Sequence, residues 1–190
     1  MTPRERMVAG AADMLRRRGL NGTSVRELAK HTGAPLGSTY HYFPGGKAQL
    51  AAEAVQFSDD LVTRVLNDKL HAGPVNGLRA FVDMWREVVV DSKFEAGCPV
   101  LAVAVDGTGD DDAPRRAAAD AFVHWTTLLA TSLREHGATD AAAHRTAILI
   151  VASVEGTVAM CRALRSTAPL DLTADALELA IRAVTAEDPA

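Results

Sequence analysis

The sequence predicts an all-α protein: an N-terminal helix-turn-helix unit over residues 1–46 and a larger helical body over residues 47–190, about nine helices in all. Three observations carry that prediction. Apolar residues recur three and four positions apart along most of the chain. Glycine, proline and short polar runs separate these stretches. No alternation of apolar and polar residues is long enough for a strand.

Each element has its own signal. Met7, Val8, Ala11, Ala12, Met14 and Leu15 form one helical face over residues 3–18, and Gly19 supplies a stop. In NGTSVRELAKHTG, Ser24 is an N-cap with Glu27 three residues on, the spacing of a capping box, and Gly33 ends this short second helix. Pro35 suits the first turn of a third helix reaching Phe43. The PGG break then precedes a long fourth helix from Lys47 to about Leu70, with Leu50, Ala54, Val55, Ser58, Leu61, Val62, Val65 and Leu66 as its stripe. Helix five carries Leu78, Phe81, Val82, Trp85, Val88 and Val89. CPVLAVAV forms a short sixth helix with Pro99 near its start. Helix seven is expected from Pro114 to His136, helix eight from Asp140 to Arg165, and the last from Thr173 to Ala186.

Composition excludes several classes. With 48% hydrophobic and 23% charged residues among 190, the chain is an ordinary folded protein. It has no uninterrupted apolar run of about 18 residues to span a bilayer. Its charged N-terminus lacks the apolar centre of a secretory signal, so a cytoplasmic location is expected. Cys98 and Cys161 are too few for a disulfide framework and read as packing residues. The acidic run containing Asp106, Asp110, Asp111 and Asp112 lacks a calcium-loop register: Asp111 and Ala117 stand where glycine and glutamate are needed. It reads as a loop capping helix seven. His124, His136 and His144 are too far apart for one helical turn, and serine elbow, Walker loop and dinucleotide fingerprint are all missing. No catalytic residue, metal or cofactor is therefore expected.

Charge is divided unevenly. Residues 1–50 carry eight basic against three acidic side chains, whereas the net charge of the whole chain is −4. One end is suited to a polyanion and the rest repels it. Within the basic end, APLGSTYHYFPGGK gathers three aromatic rings and a histidine into Tyr40–Phe43 although aromatic residues make up only 5% of the chain. Hydroxyl, imidazole and ammonium tips all donate to phosphate oxygens. Arg26 projects opposite Leu28 and Ala29, and Gly37 removes a side chain where a backbone approaches another surface. Together these are the parts of a major-groove reader flanked by phosphate contacts. Arg16, Arg17 and Arg18 read as a helix end favourable to the dipole.

Residues 23–50, TSVRELAKHTGAPLGSTYHYFPGGKAQL, closely resemble the DNA-binding motif of the tetracycline-repressor (TetR) family of bacterial transcriptional regulators. EAGCPVLAVAVD together with YHYFPGGK is similar to the LmrA/YxaF-type branch, whose members repress resistance or efflux genes. The resemblance implies base-edge contacts by Arg26, Leu36, Gly37, Ser38, Tyr40 and His41. It implies phosphate contacts by Ser24, Ser38, Tyr42 and Lys47, with Phe43 packing the motif's core. Three positions depart from the family pattern: Pro35 replaces a capping serine, Leu36 a polar base reader, and Thr39 a larger apolar residue. Leu36 is still suited to a thymine methyl.

The resemblance further implies a ligand cavity in the body, for which Phe81, Trp85, Phe122, Trp125, Glu155 and Met160 are candidates. Glu155 interrupts AILIVASVEGTVAM, where a buried carboxylate is costly unless satisfied. Helix eight is apolar on more than one face, which suits helices eight and nine packing against their copies in a homodimer. The expectation is a repressor that binds a palindromic operator in double-stranded DNA, associated with the nucleoid when bound, and is released by a small apolar effector. The competing expectation is a helical small-molecule-binding or scaffold protein without DNA contact.

Overall fold

The computed structural model describes residues 1–106 and 112–185, and among these every regular element is helical. In chain order they are α1 (Pro3–Arg18), α2 (Val25–Thr32), α3 (Leu36–Tyr42), α4 (Gly46–Leu70), α5 (Pro74–Asp91), α6 (Pro99–Val105), α7 (Ala113–Glu135), α8 (Asp140–Leu164) and α9 (Ala168–Arg182). They form two compact units: Met1–Asp60 with Cys98–Ala121, and Leu61–Gly97 with Phe122–Ala190.

The first unit packs α1, α2, α3, the start of α4, and α6. Thr2 and Glu5 form a reciprocal capping box on α1, with Glu5 N donating to Thr2 Oγ1 and Thr2 N to Glu5 Oε2, and Pro3 opens the helix. Met7, Ala11, Met14 and Leu15 turn inward to meet Leu28, Phe43, Leu50, Val100 and Val103 in a buried core. α2 is capped by Ser24, whose oxygen accepts from Glu27 N at 3.2 Å. The Glu27 carboxylate instead takes the Ser24 hydroxyl, so the box is only half formed. Gly33, left-handed at φ +67°, closes α2. α3 begins after Pro35 and stops at Tyr42, one residue short of expectation, because Phe43 leaves helical geometry to enter the core.

Asp106 corrects the sequence reading. Its carboxylate accepts from Leu20 N at 2.6 Å and Asn21 N at 3.1 Å, which ties the end of α6 to the turn between α1 and α2. It does not cap α7. Gly19 turns there at φ +72°, and a Cβ on it would stand 2.7 Å from the Asp106 oxygen, so glycine is needed for both conformation and space. Asp112 does stand at the start of α7, where its carbonyl accepts from Arg116 N and its carboxylate pairs with Arg115. Asp110 and Asp111 lie outside the described residues.

The second unit is built on α5, α8 and α9, which pack on one another. Leu78, Phe81, Val89, Trp125, Leu129, Ile150, Val154, Leu170 and Ile181 fill its centre. α5 opens with Pro74, and a Cβ on Gly77 would collide with Leu70, so this glycine admits close passage of the α4 end. α9 starts at Ala168, five residues before the expected Thr173. Pro169 occupies its first turn, where a missing N–H costs nothing, and Leu170 is fully buried. The expected end at Ala186 lies outside the described residues. Arg79 pairs with Glu178 and Asp175, and Arg86 with Asp171, joining α5 to α9. Leu61, expected in the α4 stripe, is exposed, because the buried register runs through Val55, Ser58, Val62 and Leu66.

Candidate nucleic-acid interface

Seven residues make α3, and only Thr39 among them is buried, with its Oγ1 donating to Pro35 O at 3.2 Å. The remaining surface faces outward. Leu36 and Tyr40 stand one turn apart, as do Gly37 and His41, which makes one broad exposed face. Tyr40 is 53% exposed and Leu36 38%, both high for large side chains in a unit with an available core. A Cβ on Gly37 would meet nothing within 4 Å, so the position is open rather than packed. Ser38 and Tyr42 are half-buried on the flank of α3, and the His41 and Tyr42 rings meet edge-on at 5.7 Å.

Arg26 is exposed on α2 and lines an open groove with Ala29, Lys30, Gly33, Ala34 and Leu36. The groove brings the α2 arginine beside the beginning of α3. Lys47 is half-buried in the first turn of α4, where helix N-terminal amides add to its positive charge. Ser24 is half-buried, and its hydroxyl is already engaged with Glu27. The structure therefore brings Arg26, Leu36, Gly37, Tyr40 and His41 together, with Ser38, Tyr42 and Lys47 along the margin.

Sequence reasoning missed an ion cluster that joins α1 to the end of α2. Asp13 pairs with Arg16 at 2.6 Å, with Arg17 at 3.1 Å, and lies 3.4 Å from His31 Nε2. Burial pushes the Asp13 carboxyl up, but the guanidinium groups of Arg16 and Arg17 outweigh it and hold it below the usual carboxylate range. The i, i+3 and i, i+4 spacing was the available signal.

The ligand candidates fall into two places. Phe81, Trp85, Phe122 and Trp125 form an edge-to-face aromatic cluster in the second unit, with ring centroids 5.6 to 6.3 Å apart. Trp85 is 4% exposed, and among the described residues its indole nitrogen has no hydrogen-bond acceptor. Glu155 is buried on the inward face of α8 with Val151, Val154 and Val158. Met160 does not share that face. It is exposed, and it lines a surface groove with Leu164, Pro169 and Leu172, because inward positions at Val158 and Cys161 turn it away from the core. Ile148, Leu149, Leu164, Leu172 and Leu179 are further exposed apolar residues of α8 and α9.

Comparison with known proteins supplies the family. A model described as bacterial regulatory proteins, tetR family, matches residues 8–54. A model described as transcriptional regulator LmrA/YxaF-like, C-terminal domain, matches residues 74–176. An uncharacterized HTH-type transcriptional regulator of Mycobacterium tuberculosis is 38% identical over 90% of this chain and 89% of its own length. The HTH-type transcriptional regulator LmrA of Bacillus subtilis is 28% identical over 88% of this chain and 90% of its own. Among solved structures, a TetR transcriptional regulator from Legionella pneumophila shares the fold with a TM-score of 0.85 at 19% identity, covering 94% of this chain and 97% of that one. One from Chloroflexus aurantiacus aligns with a TM-score of 0.75 at 27% identity, covering 96% and 95%.

Proposed function

This chain belongs to the TetR family of bacterial transcriptional regulators, in its LmrA/YxaF-like branch, and from that premise we propose that it is a homodimeric repressor released from a palindromic operator by a small, largely apolar ligand. The observation that carries the reading is the outward face of α3, where Leu36, Gly37, Tyr40 and His41 are all exposed and a Cβ on Gly37 would meet nothing within 4 Å. In this reading Arg26 and that face meet base edges in the major groove. Ser38, Tyr42 and Lys47 meet phosphates, and Ser24 joins them if its hydroxyl exchanges Glu27 for a phosphate oxygen.

The homodimer is assigned to the exposed apolar residues of α8 and α9, among them Leu164, Leu172 and Met160. Two-fold symmetry then presents two copies of α3 about one DNA turn apart, roughly 34–36 Å, or a multiple of it, which demands a palindromic site. The ligand is assigned to the aromatic cluster of Phe81, Trp85, Phe122 and Trp125, with the buried Glu155 of α8 as a candidate polar anchor. An acceptor on the ligand would satisfy the Trp85 indole N–H. Release requires the ligand to prefer the conformation that misplaces the two α3 helices, and it shifts the balance only by that preference. Work on chromosomal DNA places the protein in the cytoplasm, and no catalytic role is assigned.

Selection of bound duplexes from random DNA tests this reading. The expected result is a palindromic consensus, bound by a species that sediments as a dimer. Recovery of no duplex at low ionic strength would favour a helical ligand-binding protein without DNA contact, since phosphate binding is strongest there.

A further inference from the structure

α3 has little of its own to hold it in place, and the turn that follows it, Phe43–Gly46, contains two glycines, one of them at φ +65°. Such a turn is intrinsically loose. A chain of side-chain contacts spans it. Arg4, at the start of α1, reaches Glu53 of α4, with Nη2 2.7 Å from Oε1 and 2.6 Å from Oε2. Its guanidinium carbon also stands 5.3 Å from the centre of the buried Phe43 ring. Gln49 Nε2 donates to the same Glu53 Oε1 at 3.0 Å, and its Oε1 accepts from Gly45 N at 2.8 Å. Gly46 N closes the turn on Phe43 O at 2.9 Å.

We propose that Arg4, Glu53 and Gln49 are positioning residues for DNA binding: they hold the α3–α4 turn so that Tyr42 and Lys47, on either side of it, meet the phosphates together. The inference rests on the DNA-facing assignment of those two residues. Arg4 and Glu53 have side chains 45% and 20% exposed, so their ion pair adds little to stability. Its effect is geometric. Arg4 joins the beginning of α1 to α4 and the Phe43 ring, Glu53 receives both Arg4 and Gln49, and Gln49 transmits the fixed position to the Gly45 amide. The same contact leaves little room at position 45, since a Cβ there would lie 3.0 Å from Gln49 Cβ.

Charge and geometry predict opposite outcomes at Glu53, which makes the inference testable. Glu53 lies six residues after Lys47 on one helix, about 9 Å along its axis, within about one Debye length at moderate salt. Removing an acid so close to a polyanion should tighten binding if charge alone acts. The experiment measures fluorescence anisotropy of a labelled duplex, recovered from random DNA by the unaltered chain, against Glu53→Ala, Glu53→Gln, Gln49→Ala and Arg4→Ala across a range of salt. We expect Glu53→Ala, Gln49→Ala and Arg4→Ala to bind about threefold to tenfold more weakly, with unchanged salt slopes because no phosphate contact is lost. Glu53→Gln keeps an acceptor and should stay within about twofold of the unaltered chain.

Equal or tighter binding by Glu53→Ala, or identical behaviour of the Ala and Gln variants, would overturn the proposal. For Arg4, a salt slope reduced by about one would reassign it to direct phosphate contact. If the unaltered chain recovered no duplex, the DNA-facing assignment would fall and take this inference with it. If it recovered one and the variants bound it equally well, only the positioning role would fall.

Discussion

α3 and α8 use their residues in opposite ways. α3 has seven residues and buries one, whereas α8 has twenty-five and buries ten. A helix as short as α3 does not persist alone in water, so its geometry is imposed by Phe43 behind it, Thr39 beneath it and the turns at both ends. α8 is anchored by its own inward stripe from Ala143 to Cys161, and still carries apolar residues on the outside. The contrast separates two consequences of mutation. Changes on α3 should alter what the protein binds and leave folding alone, while inward changes on α8 should do the reverse.

The largest expected effect tests that division. Ile150 is fully buried in α8, and Ile150→Ala should lower stability by about 2–5 kcal/mol, read from the urea midpoint. Tyr40→Ala on α3 should stay within about 0.5 kcal/mol of the unaltered chain. Similar losses from both would break the comparison.

The outer side of α8 and α9 comes next. Leu164→Glu combined with Leu172→Glu places charge on exposed apolar residues, so folding should persist while self-association weakens by about thirtyfold or more. Sedimentation at several concentrations reads this directly. An unchanged assembly state would remove these residues from the interface.

On the DNA side, Arg26→Ala should cost about 1–3 kcal/mol at a single operator position and flatten base preference there. Lys47→Ala should weaken all duplexes alike, and the salt slope should fall by about one. Were the Arg26 loss equally uniform, Arg26 would be a phosphate contact and the groove it lines with Leu36 would carry no sequence information.

Much of this was legible before any coordinates. The periodicity of Met7 to Leu15, the Ser24 cap and the Gly33 stop are local signals, and each acts within a few residues. The helix-turn-helix was readable for the same reason. Contacts between distant positions were not. Asp106 is 86 residues from Leu20 and Arg4 is 49 from Glu53, and nothing in a local window connects either pair. Facing was legible only in part: the eighth helix read as apolar on more than one face, and packing alone decided that Val158 goes in and Met160 out. Two misses were local. Pro169 marked the true start of α9, and Thr2 with Glu5 spelled out a capping box.

The smallest expected effect concerns how α9 is fastened. Glu178 accepts hydrogen bonds from Arg182 and Arg79, and these pairs hold its carboxyl below the usual range, Arg182 first and Arg79 second. A depressed carboxylate contributes stability above its unfolded value, about pH 4.3, and loses it as pH falls through the lower folded value. The Arg79 side chain is 44% exposed, so screening limits the contribution to a few tenths of a kcal/mol at about the level of surface pairs. Melting temperatures of the unaltered chain and Glu178→Gln should therefore differ slightly at pH 7 and converge below about pH 4. A constant difference across that range would mean that Glu178 acts through packing of its stem on α5, and that charge plays no part in holding α9.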